Sequence, residues 1–352
     1  MLGRTPEELQ AVALEAGLPS YAGKQIASWI YVKKVRTIDQ MTNISKEGRA
    51  RLAERWQVGV TPAADCRTSR DGTRKYLFPV SCARGGELFA SERDEDLEDS
   101  MIESVMIPEM DRRTLCISSQ AGCKMACRFC MTGRQGFHGQ LSAADILSQT
   151  IAVDESDDLT NVVFMGMGEP LDNMDNVLRA IEVMTAPWGF AWSPKRITLS
   201  TIGVIPALKR FLDQTRCHLA VSLHNPFPGE RSSLMRVQDV WDIREVVRLL
   251  KEYDFTGQRR VSFEYTMFAG LNDTPAHADA IAALLRGLEC RVNLIRFHKI
   301  PGFEGETSPD KVMEAFRDRL SRSGITATIR ASRGEDIYAA CGMLAGKNRN
   351  SL

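Results

Sequence analysis

The sequence predicts an α/β protein: a partial (β/α)6 barrel with one extra strand and a small N-terminal helical domain. Three observations predict it. From residue 114 to 297, short apolar runs alternate with amphipathic helical segments, the rhythm of parallel βα units. Six strands fall in that span, too few to close an eight-stranded barrel. Polar or Gly-rich segments follow strand after strand, at the end where such folds carry their chemistry. The expected divisions are a helical accessory domain over 1–60, a β-rich connector over 61–108 and the barrel over 109–352.

Each element has a local reason. TPEELQAVALEAGL opens on Thr5 with Glu8 three residues on, a capping box. KQIASWIYVKKV and SKEGRARLAERW keep helical periodicity, separated by turns at YAGKQ and MTNIS. Lys24, Lys33, Lys34 and Arg36 give this module a basic face, suited to RNA or simply to solvent. TRKYLFPV and SMIESVMIP alternate as strands, with the acidic run SERDEDLEDS between them as a solvated loop and RTSRDGTRK as a basic turn. TLCISS is the first barrel strand, followed by a cysteine loop and a helix capped by Ser142 and Asp145. NVVFMGMGEP, RITLST, HLAVSLH, RRVSFEYTMF and RVNLIRF follow as strands with helices between them, and ITATIRA is the extra strand. No internal repeat or low-complexity tract interrupts the pattern.

The bulk composition excludes several classes. The 352 residues hold 45 Lys plus Arg against 45 Asp plus Glu, so any contact with nucleic acid must come from local patches rather than net charge. No run of about 18 apolar residues exists, so no membrane span is expected. MLGRTPEELQ carries no apolar signal core. Nine cysteines, an odd number with three clustered, suit a reducing cytoplasm better than a disulfide scaffold.

The clustered cysteines are the sharpest signal. CKMACRFC sets Cys123, Cys127 and Cys130 at Cys-x3-Cys-x2-Cys spacing, close enough to converge on one soft metal centre. Three thiolates satisfy three irons of a four-iron cluster and leave the fourth open, whereas an electron-carrying cluster takes four cysteines. A zinc knuckle completed by His138 is the other use of such a trio. Gly166, Gly168 and Glu169 form a turn where backbone can approach a ligand and a carboxylate can accept from an amine. Ser200 and Ser222 are strand-end hydroxyls suited to a ribose or carboxylate, and His224 follows in SLHNP.

The cysteine spacing, with Phe129 before the last thiol, resembles the radical S-adenosylmethionine superfamily. From about residue 100 to 345 the chain resembles the bacterial adenine-C2 methyltransferases that modify 23S ribosomal RNA and transfer RNA. The segments that carry this are IESVMIP, TLCISSQAGCKMACRFCMTG, NVVFMGMGEPLDN, RITLSTIGVIPAL, LAVSLHNP, RVNLIRF and RGEDIYAACGML. The resemblance implies a radical-SAM barrel with one [4Fe-4S] cluster on Cys123, Cys127 and Cys130 and S-adenosylmethionine on the open iron. It implies cofactor contacts at Gly168, Glu169, Ser200, Ser222, Leu223, His224 and His298, the last often asparagine in the family. Adenine C2 is electron-poor and has no lone pair to displace a sulfonium methyl, so the family uses radical chemistry. There one S-adenosylmethionine methylates a cysteine, and a second supplies the radical that lets the methyl carbon join the base. Cys341 matches that carrier, Cys116 the residue that resolves the RNA adduct through a transient disulfide, and Glu103 the proton acceptor. The two cysteines are expected at the end of the first barrel strand and on a loop after the last. Cys66, Cys82, Cys217 and Cys290 match no motif and read as packing residues. The implied partners are 23S rRNA at the peptidyl transferase centre, the adenine 3′ of the tRNA anticodon and an external flavodoxin- or ferredoxin-type reductant, acting on a cytoplasmic monomer. Competing readings are the relative that methylates adenine C8 and confers antibiotic resistance, a zinc-stabilised RNA-binding module without catalysis, and a radical enzyme acting on a protein or metabolite.

Overall fold

The computed structural model describes residues 1–80, 100–257 and 259–345. The acidic run expected as a loop and Cys82 lie outside the described residues. The N-terminal module is helical: α1 Pro6–Glu15, α2 Ala22–Ala27 and α3 Lys46–Arg55. The Thr5–Glu8 capping box forms as expected. α2 widens into a π-helical segment over Ser28–Val32, which turns Tyr31 inward. Its ring packs against Trp188 and Phe190 of the barrel, and its hydroxyl donates to the Arg4 carbonyl at 2.6 Å. Two residues of the expected basic face are spent on internal contacts. Lys34 donates to the Ser156 carbonyl at 2.7 Å and pairs with Asp157, and Lys33 sits over the Trp29 ring.

A ten-stranded sheet forms the body. β1 Asp65–Thr68, β2 Arg74–Pro79, β3 Met101–Glu109 and β4 Arg112–Cys116 run antiparallel in chain order. The connector is therefore an edge of the barrel sheet, with Val105 registered on Cys116. From β4 onward the sheet is parallel: β7 Asn161–Phe164, β8 Ile197–Thr201, β9 His218–Ser222, β10 Val261–Met267, β11 Arg291–Arg296 and β12 Thr326–Ile329. These are the six expected strands plus the extra one. β5 Gln120–Gly122 and β6 Phe137–Gln140 form a separate hairpin that the sequence pattern did not reveal, because each is too short to show alternation.

Helices α5 Ala143–Ile151, α6 Met174–Thr185, α7 Ile205–Gln214, α9 Ile243–Leu250, α10 Pro275–Leu285 and α11 Asp310–Arg322 connect the parallel strands. Ser142 and Asp145 cap α5 as expected. α9 buries Ile243, Val246, Val247 and Leu250, an i, i+3, i+4, i+7 stripe that faces the sheet. Two short helices, α4 Met131–Arg134 and α8 Pro228–Leu234, lie over the strand ends.

The strand ends are tied by one buried cation. Arg231 on α8 is fully buried and donates to the carbonyls of Ser222 at 2.9 Å, Leu223 at 3.0 Å and Ile202 at 3.3 Å, and to Gln238 at 2.9 Å. Burial lowers its pKa to about 10, so it stays charged at neutral pH. Arg231→Met should leave these acceptors without donors and cost at least about 3 kcal/mol. Urea denaturation should show a lower midpoint with an unchanged slope; a midpoint equal to the parent's would contradict this role.

Candidate active site

The cysteine loop is shaped by its neighbours on both sides. Gly122 has φ +73°, and a Cβ there would fall 2.0 Å from the Gly136 carbonyl oxygen, so only glycine lets β5 and β6 close the loop. Cys123 N–H donates to that same carbonyl at 2.8 Å. Met125, Phe129 and Met131 pack onto an apolar cluster at the barrel rim that includes Phe268, Phe297 and Ile300. The loop's thiols are thereby turned toward one cavity.

That cavity, open at the rim, is lined by Cys123, Cys127, Cys130, the Gly166–Glu169 turn, Ser200, Ser222, His224 and Cys341. Five of the seven expected cofactor contacts, Gly168, Glu169, Ser200, Ser222 and His224, therefore meet at the C-terminal ends of β7, β8 and β9. Gly168 has φ +97°, and a Cβ would fall 2.5 Å from Gln120 Cβ, which keeps the turn bare. Glu169 accepts from Thr201 Oγ1 at 2.6 Å and from the backbone N–H groups of Ile202 and Leu171 at 3.0 and 3.1 Å. Burial still raises its pKa to about 7. Its carboxylate is thus largely engaged by the protein, and the turn's backbone is the freer surface for a ligand amine. His224, at φ +51°, packs edge-on against Phe129 and accepts the Thr266 N–H on Nδ1 at 3.0 Å. Burial lowers its pKa to about 3, so the ring is neutral and its proton sits on Nε2.

Two expected contacts lie elsewhere. Leu223 is fully buried with its backbone bonded to Glu264 and Arg231, and does not line the cavity. His298 hydrogen-bonds Ser332 at 3.1 Å and faces Glu335 at 3.4 Å, tying the end of β11 to the loop after β12. His138 is exposed on β6 and is not among the cavity residues. Of the unmatched cysteines, Cys217 is buried and Cys290 partly so, but Cys66 is exposed on β1 rather than a packing residue.

Cys116 ends β4, and Cys341 follows β12 on a loop; both are free thiols. Burial pushes Cys116 up to about 12, with the nearby Cys341 thiol adding to the rise. Burial raises Cys341 as well, although its surface opens onto the cavity. The Arg330 guanidinium acts the other way on both. Glu103 is buried in an adjoining cleft, where it pairs with Lys75 at 2.9 Å and accepts the Ala345 N–H at 2.9 Å. The sequence reading missed Thr201, Glu264, Thr266, Ile295, Phe297 and Arg330, which also line the main cavity. Glu264, a charge inside the apolar strand VSFEYTM, was the one available signal.

The donor set fits a four-iron cluster: three thiols stand on the wall of one cavity beside a glycine turn and an open volume. Burial, with their mutual repulsion behind it, raises Cys123 to about 12 and Cys127 well above the ordinary thiol range, so ligation must displace protons. Among the described residues, no three His, Cys, Asp or Glu side chains are drawn together tightly enough to clasp a single ion.

A partial parallel barrel with such a loop after its first strand defines a radical SAM enzyme, and the profile of the Radical SAM superfamily matches residues 117–281. The profile of the ribosomal RNA large subunit methyltransferase N-terminal domain matches residues 1–58. The chain belongs to the family of dual-specificity RNA methyltransferases. It is 56% identical over 351 residues to a probable dual-specificity RNA methyltransferase RlmN of Porphyromonas gingivalis, covering 100% of this chain and 98% of the relative. It is 37% identical to the dual-specificity RNA methyltransferase RlmN of Syntrophus aciditrophicus, covering 97% and 94%. The crystal structure of a radical SAM methyltransferase from Sphaerobacter thermophilus superposes with a TM-score of 0.89 at 34% identity, covering 98% of each chain. The family's cofactors are a [4Fe-4S] cluster and S-adenosylmethionine. Among the described residues, no helix is long and apolar enough to cross a membrane.

Changing Cys123, Cys127 or Cys130 singly to Ala should bring anaerobically reconstituted protein from about four irons per chain toward zero; full iron content in any one variant would contradict the ligand assignment. The His224 ring should stay neutral from about pH 8 down to about pH 5. Its folded pKa lies below the unfolded value of 6.5, so its contribution is complete above that value and is lost as pH falls toward about 3. A ring resonance titrating near 6.5 in nitrogen-detected NMR would overturn the assignment.

Proposed function

We propose that this chain methylates C2 of an adenine in 23S rRNA and of the adenine 3′ of the anticodon in tRNA, with Cys341 as methyl carrier. The observation that carries this reading is the position of Cys341 on the cavity that also holds Cys123, Cys127, Cys130 and the glycine turn. When bound, the cluster and S-adenosylmethionine supply a methyl group and, in a second event, a hydrogen-abstracting carbon radical. Cys341 Sγ gives up its proton, takes the methyl and presents that carbon to the base. After hydrogen loss the carbon bonds to C2, and Glu103 accepts the C2 proton. The adduct must give up one electron, for which the oxidised cluster would be the acceptor. Cys116 Sγ then loses its proton and attacks Cys341 Sγ, forming the disulfide as the Cys341 S–C bond breaks, and that bond's electron pair takes the proton to complete the methyl on C2. Arg330 favours the thiolate of both cysteines against the burial that opposes it. The adenine must leave its stack to reach an enclosed site. An external flavodoxin- or ferredoxin-type protein supplies electrons, and the enzyme acts as a cytoplasmic monomer, where free thiols persist.

Cys341→Ala should abolish methylation of RNA, because no carrier remains. Cys116→Ala should instead accumulate a denaturant-resistant protein–RNA adduct, absent when both cysteines are replaced. Mass analysis of adenosines from treated RNA should find 2-methyladenosine. Multiple-turnover methylation by either single variant would sink the mechanism, and 8-methyladenosine would transfer the chain to the C8 reading.

A further inference from the structure

The barrel interior holds a polar ladder, buried at Glu264 and opening to solvent at Thr328, whose carboxylate the proposed reaction does not use. Ser222, Glu264 and Asn293 stand in register on β9, β10 and β11, with Thr328 beside Asn293 on β12. Thr328 Oγ1 donates to Asn293 Oδ1 at 2.8 Å, and Asn293 Nδ2 donates to Glu264 Oε1 at 2.8 Å. Ser262 Oγ donates to the same oxygen at 2.9 Å. These groups fix the carboxylate through one oxygen. The other, Oε2, is buried and has no hydrogen-bond partner among the described residues. The side chain is 5% exposed and lines the main cavity. Arg330 Nη1 stands 3.8 Å from Oε2, beyond hydrogen-bonding distance.

A buried carboxylate oxygen without a partner is costly, yet three strands contribute side chains that hold it in place. The geometry is that of an acceptor presented to a ligand. Which donor it takes follows from the gap to Arg330. An ammonium could donate to Oε2 but could not accept from the guanidinium. A hydroxyl does both, and so fits between the two. Glu264 is also the register partner of Ser222, a hydroxyl on the same wall. Acidic side chains hold ribose hydroxyls in the same manner in dinucleotide-binding folds. We propose that Glu264 Oε2 and Arg330 form a ribose-hydroxyl site for the adenosyl cofactor, the diol donating to Glu264 and accepting from Arg330. This rests on the S-adenosylmethionine reading above.

The test is calorimetric and needs no turnover. Anaerobically reconstituted protein is titrated with S-adenosylhomocysteine and with its 2′-deoxy and 3′-deoxy analogues. The parent should prefer the full ligand over at least one deoxy analogue by roughly 10-fold or more. Glu264→Ala should reduce that ratio to about 1 with little change in affinity for the deoxy analogue. Glu264→Gln keeps an acceptor for Asn293 and Ser262, and should give an intermediate ratio even where the alanine variant folds poorly. An unchanged ratio in both variants overturns the proposal. So does a parent that does not discriminate, which would mean that Oε2 holds only an ordered water. Normal ligand discrimination with loss of RNA methylation alone would also overturn it, assigning the carboxylate to the target base. No binding of S-adenosylhomocysteine by the parent would overturn the cofactor reading itself, and this proposal with it.

Discussion

The ends of β7, β8, β9 and β10 must part to leave a cavity, and where the ladder stops their backbone polar groups lose their partners. Buried polar side chains take over that task, and the rest of the site depends on them. Glu169, at the end of β7, accepts from Thr201 and Ile202 of β8. Arg231 bonds carbonyls following β8 and β9. Asn272 donates to the carbonyls of His224 and Thr266 at 2.7 and 2.8 Å, joining β9 to β10. Each link crosses one inter-strand gap, and together they hold the rim open. This is why a fully buried guanidinium and a fully buried imidazole persist beside the cavity: backbone acceptors and donors, rather than counter-ions, occupy their hydrogen-bonding positions.

The same burial sets the chemistry of the thiols. Desolvation raises Cys116 to about 12, raises Cys341, and keeps both protonated in the absence of ligand. A site that must form a nucleophile from such a thiol needs positive charge nearby, and Arg330 supplies it to both cysteines. Glu264 faces that cation at 3.8 Å, close enough to hold it and too far to neutralise it through a direct hydrogen bond. The arrangement keeps free thiols quiet and leaves a cation available on the cavity side.

Much of this was legible in the sequence. The βα rhythm gave the parallel strands in order, because fully buried strands read as apolar runs and their helices as amphipathic stripes. Thr5–Glu8 and Ser142–Asp145 announced two helix starts, since reciprocal capping is a local interaction. The cysteine spacing and the glycine turn announced the cavity. What remained hidden depends on contacts far apart in the chain. β5 and β6 enclose the cysteine loop but are separated by it, and three or four residues carry no period. The placement of Leu223 and His298 away from the cavity turns on side-chain direction, which alternates along a strand and drifts in the loop beyond it. Lys34 looked like part of a basic surface, and only the position of Ser156 and Asp157 reveals it as a link between the N-terminal module and the barrel.

The C-terminal segment is where fold and chemistry press on each other most closely. Cys341 faces the main cavity, while Met343 and Ala345 line the cleft that holds Glu103, so this short stretch is the wall between the two. It is pinned on the barrel side by Met131 N–H on the Gly342 carbonyl at 2.8 Å and by Thr132 Oγ1 on the Leu344 carbonyl at 2.8 Å. On the other side Ala345 N–H donates to Glu103, whose second oxygen pairs with Lys75. Both carboxylate oxygens of Glu103 are thus occupied, one by the Lys75 ammonium and the other by the Ala345 N–H. Cys341 and Glu103, the two groups that the resemblance places in the transfer, are therefore held from opposite faces of one short segment.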